Sequence, residues 1–246
     1  MSTGIWSAAS GAVAQGFSLD VAANNIANAT TPGFRSDQAV FRQELAKAVQ
    51  QGQTPSLRYA LVRSARVDFR AGDLTPTGRP LDVALRSDDT FFVVKTKDGE
   101  RYTRAGGAHL AADGSLTMPD GTPYLGPDRK ILKVPSEAKS VAFAKDGRLV
   151  VDGVESPQRL LVVSFKAPAA LERDGKVMFR APPAAGRPVE AAADLEVEAL
   201  EGSNASAVGG MTSLVTASRQ FEMLTKVIEA FSTIDRKAAT DVMAKR

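Results

Sequence analysis

Side chains able to do covalent or metal chemistry are few in this chain, and their spacing does not favour it. There is no cysteine and a single histidine, His109, which removes disulfides, thiolate metal sites and cysteine nucleophiles and leaves no multi-histidine metal cluster. The adjacent pair Asp88-Asp89 is the first candidate for two-carboxylate hydrolysis. Neighbours on a strand point to opposite faces, so the pair suits a turn or solvent rather than a shared scissile bond. Six aspartates precede glycine, at Asp98, Asp113, Asp120, Asp146, Asp152 and Asp174. They lack the alternating carboxylates and closing glutamate of a calcium loop. They are instead the strongest local signal for tight hairpin turns. His109, between Ala108 and Leu110, reads as an ordinary hairpin residue. No Gly-x-Ser-x-Gly, phosphate-binding loop or dinucleotide fingerprint is present. Asn28-Ala29-Thr30 and Asn204-Ala205-Ser206 match the glycosylation triplet, a pattern that arises often by chance. These residues point away from an enzyme and from any cofactor, metal or small-molecule substrate.

Charge is equally uninformative about ligands. The 31 basic and 28 acidic side chains leave a net +3 over 246 residues, too slight an excess to imply nucleic acid. The first 19 residues carry no charge. Their serines, glycines and glutamine make them too polar to span a membrane, and no lysine or arginine precedes Ile5 as a secretory signal requires. Ala12-Val13-Ala14 resembles a small-x-small cleavage site, but cleavage is not expected.

What must position any functional surface is a pair of helical ends around a β-rich middle. Ile5, Ala12, Leu19 and Ile26 recur every seven residues, with Ala9, Gly16 and Ala23 four residues after the first three. This gives one stripe on a helix from about Ser2 to Asn28. The stripe is mostly small side chains, so the helix is weak alone and suited to a close-packed partner. It ends at Asn28-Ala29-Thr30-Thr31-Pro32-Gly33, where Pro32 disfavours a helical Thr31 and Gly33 permits positive φ. From Ala205 to about Ala244 no glycine follows Gly210 and no proline occurs. Leu214, Phe221 and Ile228 form one heptad series and Leu224, Phe231 and Ala238 another. Such a run of about 35 residues is about 50 Å long and suggests a coiled-coil-like arrangement with a partner.

Between these ends, Thr90 to Lys95, Arg101 to Thr103, Ser140 to Ala144, Leu149 to Val151 and Leu160 to Phe165 read as strands of an antiparallel β domain. Ser36 to Gln51 is compatible with helix, Gly52 to Ser56 with loop and Leu57 to Phe69 with strand; Ala181 to Ala193 reads as a surface loop or linker. The expected fold class is α+β. Residues 1–35 and 203–246 would form a discontinuous helical assembly domain, 36–80 a connecting segment and 81–202 the β-rich domain. Two rival functions fit such a chain: a β-rich adhesin or carbohydrate binder that its helices merely oligomerise, and a carboxylate-based hydrolase.

The run Ala23-Asn24-Asn25-Ile26-Ala27-Asn28-Ala29-Thr30-Thr31-Pro32-Gly33-Phe34-Arg35 resembles the N-terminal signature of the bacterial flagellar rod and hook proteins. Arg79-Pro80-Leu81-Asp82-Val83-Ala84-Leu85 with Phe91-Phe92-Val93-Val94 resembles the start of that family's β domain. Arg101-Tyr102-Thr103-Arg104-Ala105-Gly106 with Asp113-Gly114-Ser115-Leu116 resembles the hairpin that follows. Leu200-Glu201-Gly202-Ser203-Asn204, Met211, Arg219-Gln220-Phe221-Glu222-Met223 and Lys226-Val227-Ile228 resemble the C-terminal signature. One departure is Gly209-Gly210, where the family usually carries acidic residues before the methionine. The form of these motifs is most similar to a proximal rod member, with a distal rod member second.

The resemblance implies a structural subunit of the flagellar basal-body rod, exported through the flagellar type III apparatus without a cleaved signal peptide. Its implied partners are other axial proteins and copies of itself. The expected assembly interface comprises Ile5, Ala9, Ala12, Gly16, Leu19, Ala23 and Ile26 on the first helix and Met211, Leu214, Phe221, Leu224, Ile228 and Phe231 on the last. Asn24, Asn25, Asn28, Phe34 and Asn204 are expected to belong to the same interface, with Asn25 and Asn28 bonding across the subunit packing.

Overall fold

A computed structural model describes residues 3–44, 60–135 and 137–244. Helix α1 spans Thr3–Ala27 and helix α2 spans Ala207–Ala244, with short β-strands between them. The chain separates into a helical unit, made of residues 1–27, 37–66 and 206–246, and a β unit made of residues 28–36 and 67–205.

In the helical unit the two helices run antiparallel. A Cβ added at Gly4 would meet the Phe231 ring at 2.7 Å, one at Gly11 would meet Leu224 at 3.2 Å, and one at Gly210 would meet Ile26 at 2.6 Å. Glycines therefore admit large side chains of the opposite helix at both ends of the pair. This explains Gly210, which forgoes about 1 kcal/mol of helix propensity relative to alanine but leaves the space that Ile26 fills. The start of α2 is set by Ser206, whose Oγ accepts the Gly209 N–H at 3.1 Å, a standard N-cap bond.

The segment after α1 is strand where helix was compatible with the sequence. Asp37–Glu44 pairs with Ala60–Val67 in a two-stranded sheet. The Asn25 amide explains the switch. Its Nδ2 donates to the Asp37 carbonyl at 2.8 Å and its Oδ1 accepts the Asp37 N–H at 2.8 Å, as a strand neighbour would. Residues 45–59, which include the rest of the Ser36 to Gln51 segment, the loop from Gly52 to Ser56 and the first part of Leu57 to Phe69, lie outside the described residues.

The β unit is built on a six-stranded antiparallel sheet in the order Glu172–Arg173, Met178–Arg180, Gly99–Thr103, Thr90–Thr96, Val162–Ser164 and Val189–Glu190. The central strand Thr90–Thr96 sends alternate residues to two cores. Phe92 and Val94 join Val83, Leu116, Tyr124, Leu149 and Leu195 on one side, while Phe91 and Val93 join Tyr102, Phe165 and Phe179 on the other. A strand covered on both faces needs an unbroken apolar run rather than alternation, and Phe91-Phe92-Val93-Val94 supplies it. All six Asp-Gly glycines have positive φ, and Asp152-Gly153 closes the hairpin in which Val151 faces Val154. Ala181 to Ala193, expected as loop, contributes the edge strand Val189–Glu190 and the fully buried Ala185. Compositional bias toward alanine and proline hid that short strand.

The outgoing and returning legs of the β unit are zipped together. Leu74–Pro76 pairs antiparallel with Ala199–Glu201, and Val83–Leu85 pairs antiparallel with Leu195–Val197. A Cβ on Gly72 would lie 2.1 Å from the Gly202 carbonyl oxygen, so backbone approaches backbone there and only glycine fits.

Candidate assembly interface

The helical unit leaves much of its apolar surface uncovered. Ala217 is the one buried residue among the α2 side chains described. Met211, Met223 and Ile234 are 57%, 63% and 60% exposed, and Trp6 on α1 is 66% exposed. Individually exposed apolar residues are ordinary, but a run of them along two paired helices marks an interaction surface. Ala9, Ala12, Gly16 and Leu19 line an open groove of about 600 Å³ together with Phe221 and Ile228.

The residues expected at an interface fall into two groups. On the helices, Ala12 is buried; Ile5, Ala9, Gly16, Leu19, Ile26, Leu214, Leu224, Ile228 and Phe231 are half-buried; Ala23, Asn24, Met211 and Phe221 are exposed. Asn25 is engaged with Asp37 inside the helical unit, as described above. Asn28, Phe34 and Asn204 belong to the β unit. Phe34 is fully buried there, under the Arg173 guanidinium, which lies 4.7 Å from its ring centre. Asn28 accepts the Thr31 hydroxyl at 3.3 Å. Asn204 accepts the Ser36 N–H at 2.6 Å and donates to the carbonyls of Asp68 at 2.8 Å and Arg70 at 2.9 Å. It thus stitches three chain segments that pass side by side.

An ionic knot beside Asn204 was not legible in the sequence. Arg35, Arg104 and Glu201 are 0%, 1% and 1% exposed. Glu201 accepts from Arg35 Nη2, from Arg104 Nε at 2.7 Å and from the Gly72 N–H at 3.1 Å. Arg104 is otherwise caged by carbonyls, with Nη1 donating to Ser87 and Thr90 at 2.6 Å each and Nη2 to Leu85 at 3.1 Å. Burial lowers the Arg104 pKa from its ordinary value, while Glu201 opposes that shift. Each of these residues sits inside a quoted motif, yet nothing in their spacing showed that they converge. A second ion pair lies just before strand Val83–Leu85: buried Asp82 accepts from Arg79 Nη2 at 2.6 Å, from Arg79 Nε at 2.8 Å and from the Thr77 hydroxyl at 2.7 Å.

The residues first considered for chemistry are dispersed. His109 is exposed on a two-residue strand, and Asp88 and Asp89 lie in an exposed turn where Asp89 accepts the Ser87 hydroxyl at 2.8 Å. Among the described residues no group of three or more histidine, cysteine or acidic side chains is placed to hold a metal ion. No described helix is long and apolar enough to cross a membrane.

Paired terminal helices with exposed apolar side chains, and an antiparallel β-rich stretch between them in sequence, define an α+β protein. Comparison with known proteins gives the family. Residues 5–35 match the family model for the flagella basal body rod protein, residues 87–151 that for the flagellar hook protein FlgE/F/G D1 domain, and residues 197–241 that for the flagellar basal body rod FlgEFG protein C-terminal region. The flagellar basal-body rod protein FlgG of Agrobacterium fabrum is 31% identical, covering 94% of this chain and 95% of its own. The rod protein FlgF of Escherichia coli is 33% identical over 89% of this chain and 88% of its own, and that of Caulobacter vibrioides is 30% identical over 89% of each. The chain belongs to the flagellar basal-body rod FlgE/F/G family.

Proposed function

We propose that this chain is a structural subunit of the flagellar basal-body rod that assembles through its terminal helices into a torque-transmitting axial shaft. The observation that carries this reading is the apolar face left uncovered along α1 and α2, beside a β unit whose apolar residues are well buried. In the assembled shaft the helix pair packs in a coiled-coil-like manner against neighbouring copies and other axial proteins. Heterologous contact of this kind builds helical assemblies rather than closed dimers. Under this reading Ile5, Ala9, Ala12, Gly16, Leu19, Ala23, Ile26, Met211, Leu214, Phe221, Leu224, Ile228 and Phe231 form the interface, with Asn24 and Asn25 at its end. Asn28, Phe34 and Asn204, which pack within the β unit, act there by holding its legs. The functional division at 1–35 with 203–246, 36–80 and 81–202 differs from the packing units, in which 28–36 and 67–80 pack with the β unit. The subunit reaches the periplasmic rod through the flagellar type III export apparatus and serves there as a structural element.

The test is complementation of motility with Ala23→Glu and Met211→Glu, which place charge on exposed positions of that interface, one on each helix. The expected result is a monomer of unchanged melting temperature, since such surface changes fall within about 0.5 kcal/mol, but no rod incorporation in isolated basal bodies. Normal incorporation of both variants would refute the helical interface. Both FlgF and FlgG relatives match at similar identity, so complementing strains that lack one or the other separates a proximal from a distal position.

A further inference from the structure

Each helix carries a second, mainly apolar row turned away from the other helix. On α1 the contact side holds Gly4 and Gly11, which admit Phe231 and Leu224. Two residues further along, about 200° round the helix, begins the row Trp6, Ser10, Val13 and Phe17, in which Trp6 and Val13 are exposed. On α2, Met223 and Ala230 each precede a contact residue by one position, about 100° round the helix. With Val227 and Ile234 they form a row that is exposed throughout. Both rows repeat at four, three and four residues, the spacing of a coiled-coil seam, and both run for about 16 Å. Val13, Phe17 and Asp20 also line the open groove between the helices, across from Phe221, Thr225 and Ile228. Such a groove takes a further helix through apolar anchors at this spacing. The charges match too. Asp20 alone is ionisable among the described residues lining the groove. Exposed Arg219 and Lys226 border the α2 row one heptad apart, where coiled coils place interhelical ion pairs, whereas Glu222 and Glu229 fall on the far side of α2. Resting on the reading of these helices as an assembly surface, we propose that the groove receives α2 of a second copy of this chain. Met223, Val227, Ala230 and Ile234 then meet Val13 and Phe17, and the Arg219–Lys226 edge meets Asp20. The two rows are different surfaces, so the contact is heterologous and continues from copy to copy.

The chain has no cysteine, so full-length Val13→Cys and Val227→Cys variants, differently tagged and co-expressed, report the contact through a short bis-maleimide in isolated basal bodies. Concentrated purified protein serves for the same crosslink if a variant is not incorporated. The expected product is a mixed dimer of the two variants, absent when Glu222→Cys replaces Val227→Cys. Asp20→Lys should cut the yield of that dimer several-fold, and adding Arg219→Asp and Lys226→Asp should restore it. No mixed dimer, an equal yield from Glu222→Cys, or a loss in Asp20→Lys that the reversed charges leave unrestored would each overturn the pairing. Exclusion of Ala23→Glu and Met211→Glu from the rod together with no mixed dimer removes this pairing alone, whereas their normal incorporation removes the assembly reading beneath it.

Discussion

Truncating Glu201 is the most severe single change the β unit should register. Glu201→Ala leaves Arg35 and Arg104 buried with no counter-charge, and removing one partner of a buried ion pair costs about 3–5 kcal/mol. The Gly72 N–H, bonded to Glu201 Oε1 at 3.1 Å, loses its acceptor as well, adding about 1 kcal/mol. In a domain of this size 1 kcal/mol moves the melting temperature by roughly 2–4 °C, so a fall of about 8–24 °C is expected. Arg35→Met should behave differently. It removes a guanidinium whose Nε and Nη1 lack acceptors and leaves Glu201 paired one-to-one with Arg104 at 2.7 Å, so its cost should stay under about 1.5 kcal/mol, because no buried charge is left uncompensated. Arg104→Met should approach the glutamate variant, since it strands the carbonyls of Leu85, Ser87 and Thr90. Calorimetry gives the order, and hydrogen exchange at strand Gly99–Thr103 localises it to the β unit. Equal losses for Arg35→Met and Glu201→Ala would refute this ranking.

The paired glycines at the start of α2 should respond in opposite directions. Gly209→Ala meets only Ser206 at 3.4 Å and should gain up to about 1 kcal/mol of helix propensity, whereas Gly210→Ala drives its Cβ to within 2.6 Å of Ile26 and should lose stability; urea midpoints read by helical circular dichroism distinguish them. At alkaline pH, burial raises the Tyr124 pKa well above its ordinary value, and burial raises that of Tyr102 too. Stability is therefore intact below about pH 10 and falls as pH rises beyond it, by about 1.4 kcal/mol per pH unit for each tyrosine held neutral. Tyr124→Phe should flatten that limb between pH 9 and 11 in urea titrations, and an unchanged slope would show that Tyr124 is not held neutral.

Local signals in this sequence were strong where one residue's own geometry decides the structure. The Asp-Gly pairs gave the turns because glycine alone takes positive φ without strain, and the heptad spacing of α2 gave a helix from Ala207 to Ala244. Asp37–Glu44 is a strand for a non-local reason: Asn25 pairs with the Asp37 backbone across the turn that follows α1. The ionic knot is further out of reach, because Arg35, Arg104 and Glu201 meet across separations of 97 and 166 residues. Periodicity identified the stripe on α1, but it could not show that Gly4 and Gly11, beside the stripe, are the positions where α2 side chains press closest. Trp6 was passed over because it falls off the small-residue stripe, and it is the largest uncovered apolar side chain on either helix.

Trp6 also supplies the most direct test of the central claim, that the uncovered helix faces are the assembly surface. It is the single tryptophan in the chain and is 66% exposed, so its emission reports that face alone. The purified protein should be concentrated or mixed with axial partners until filaments form, with tryptophan emission and iodide quenching followed throughout. The account predicts a solvent-exposed spectrum in the dilute monomer that shifts to shorter wavelength and loses quenching as filaments appear. Filaments that form while Trp6 keeps its monomer spectrum and full quenching would contradict it.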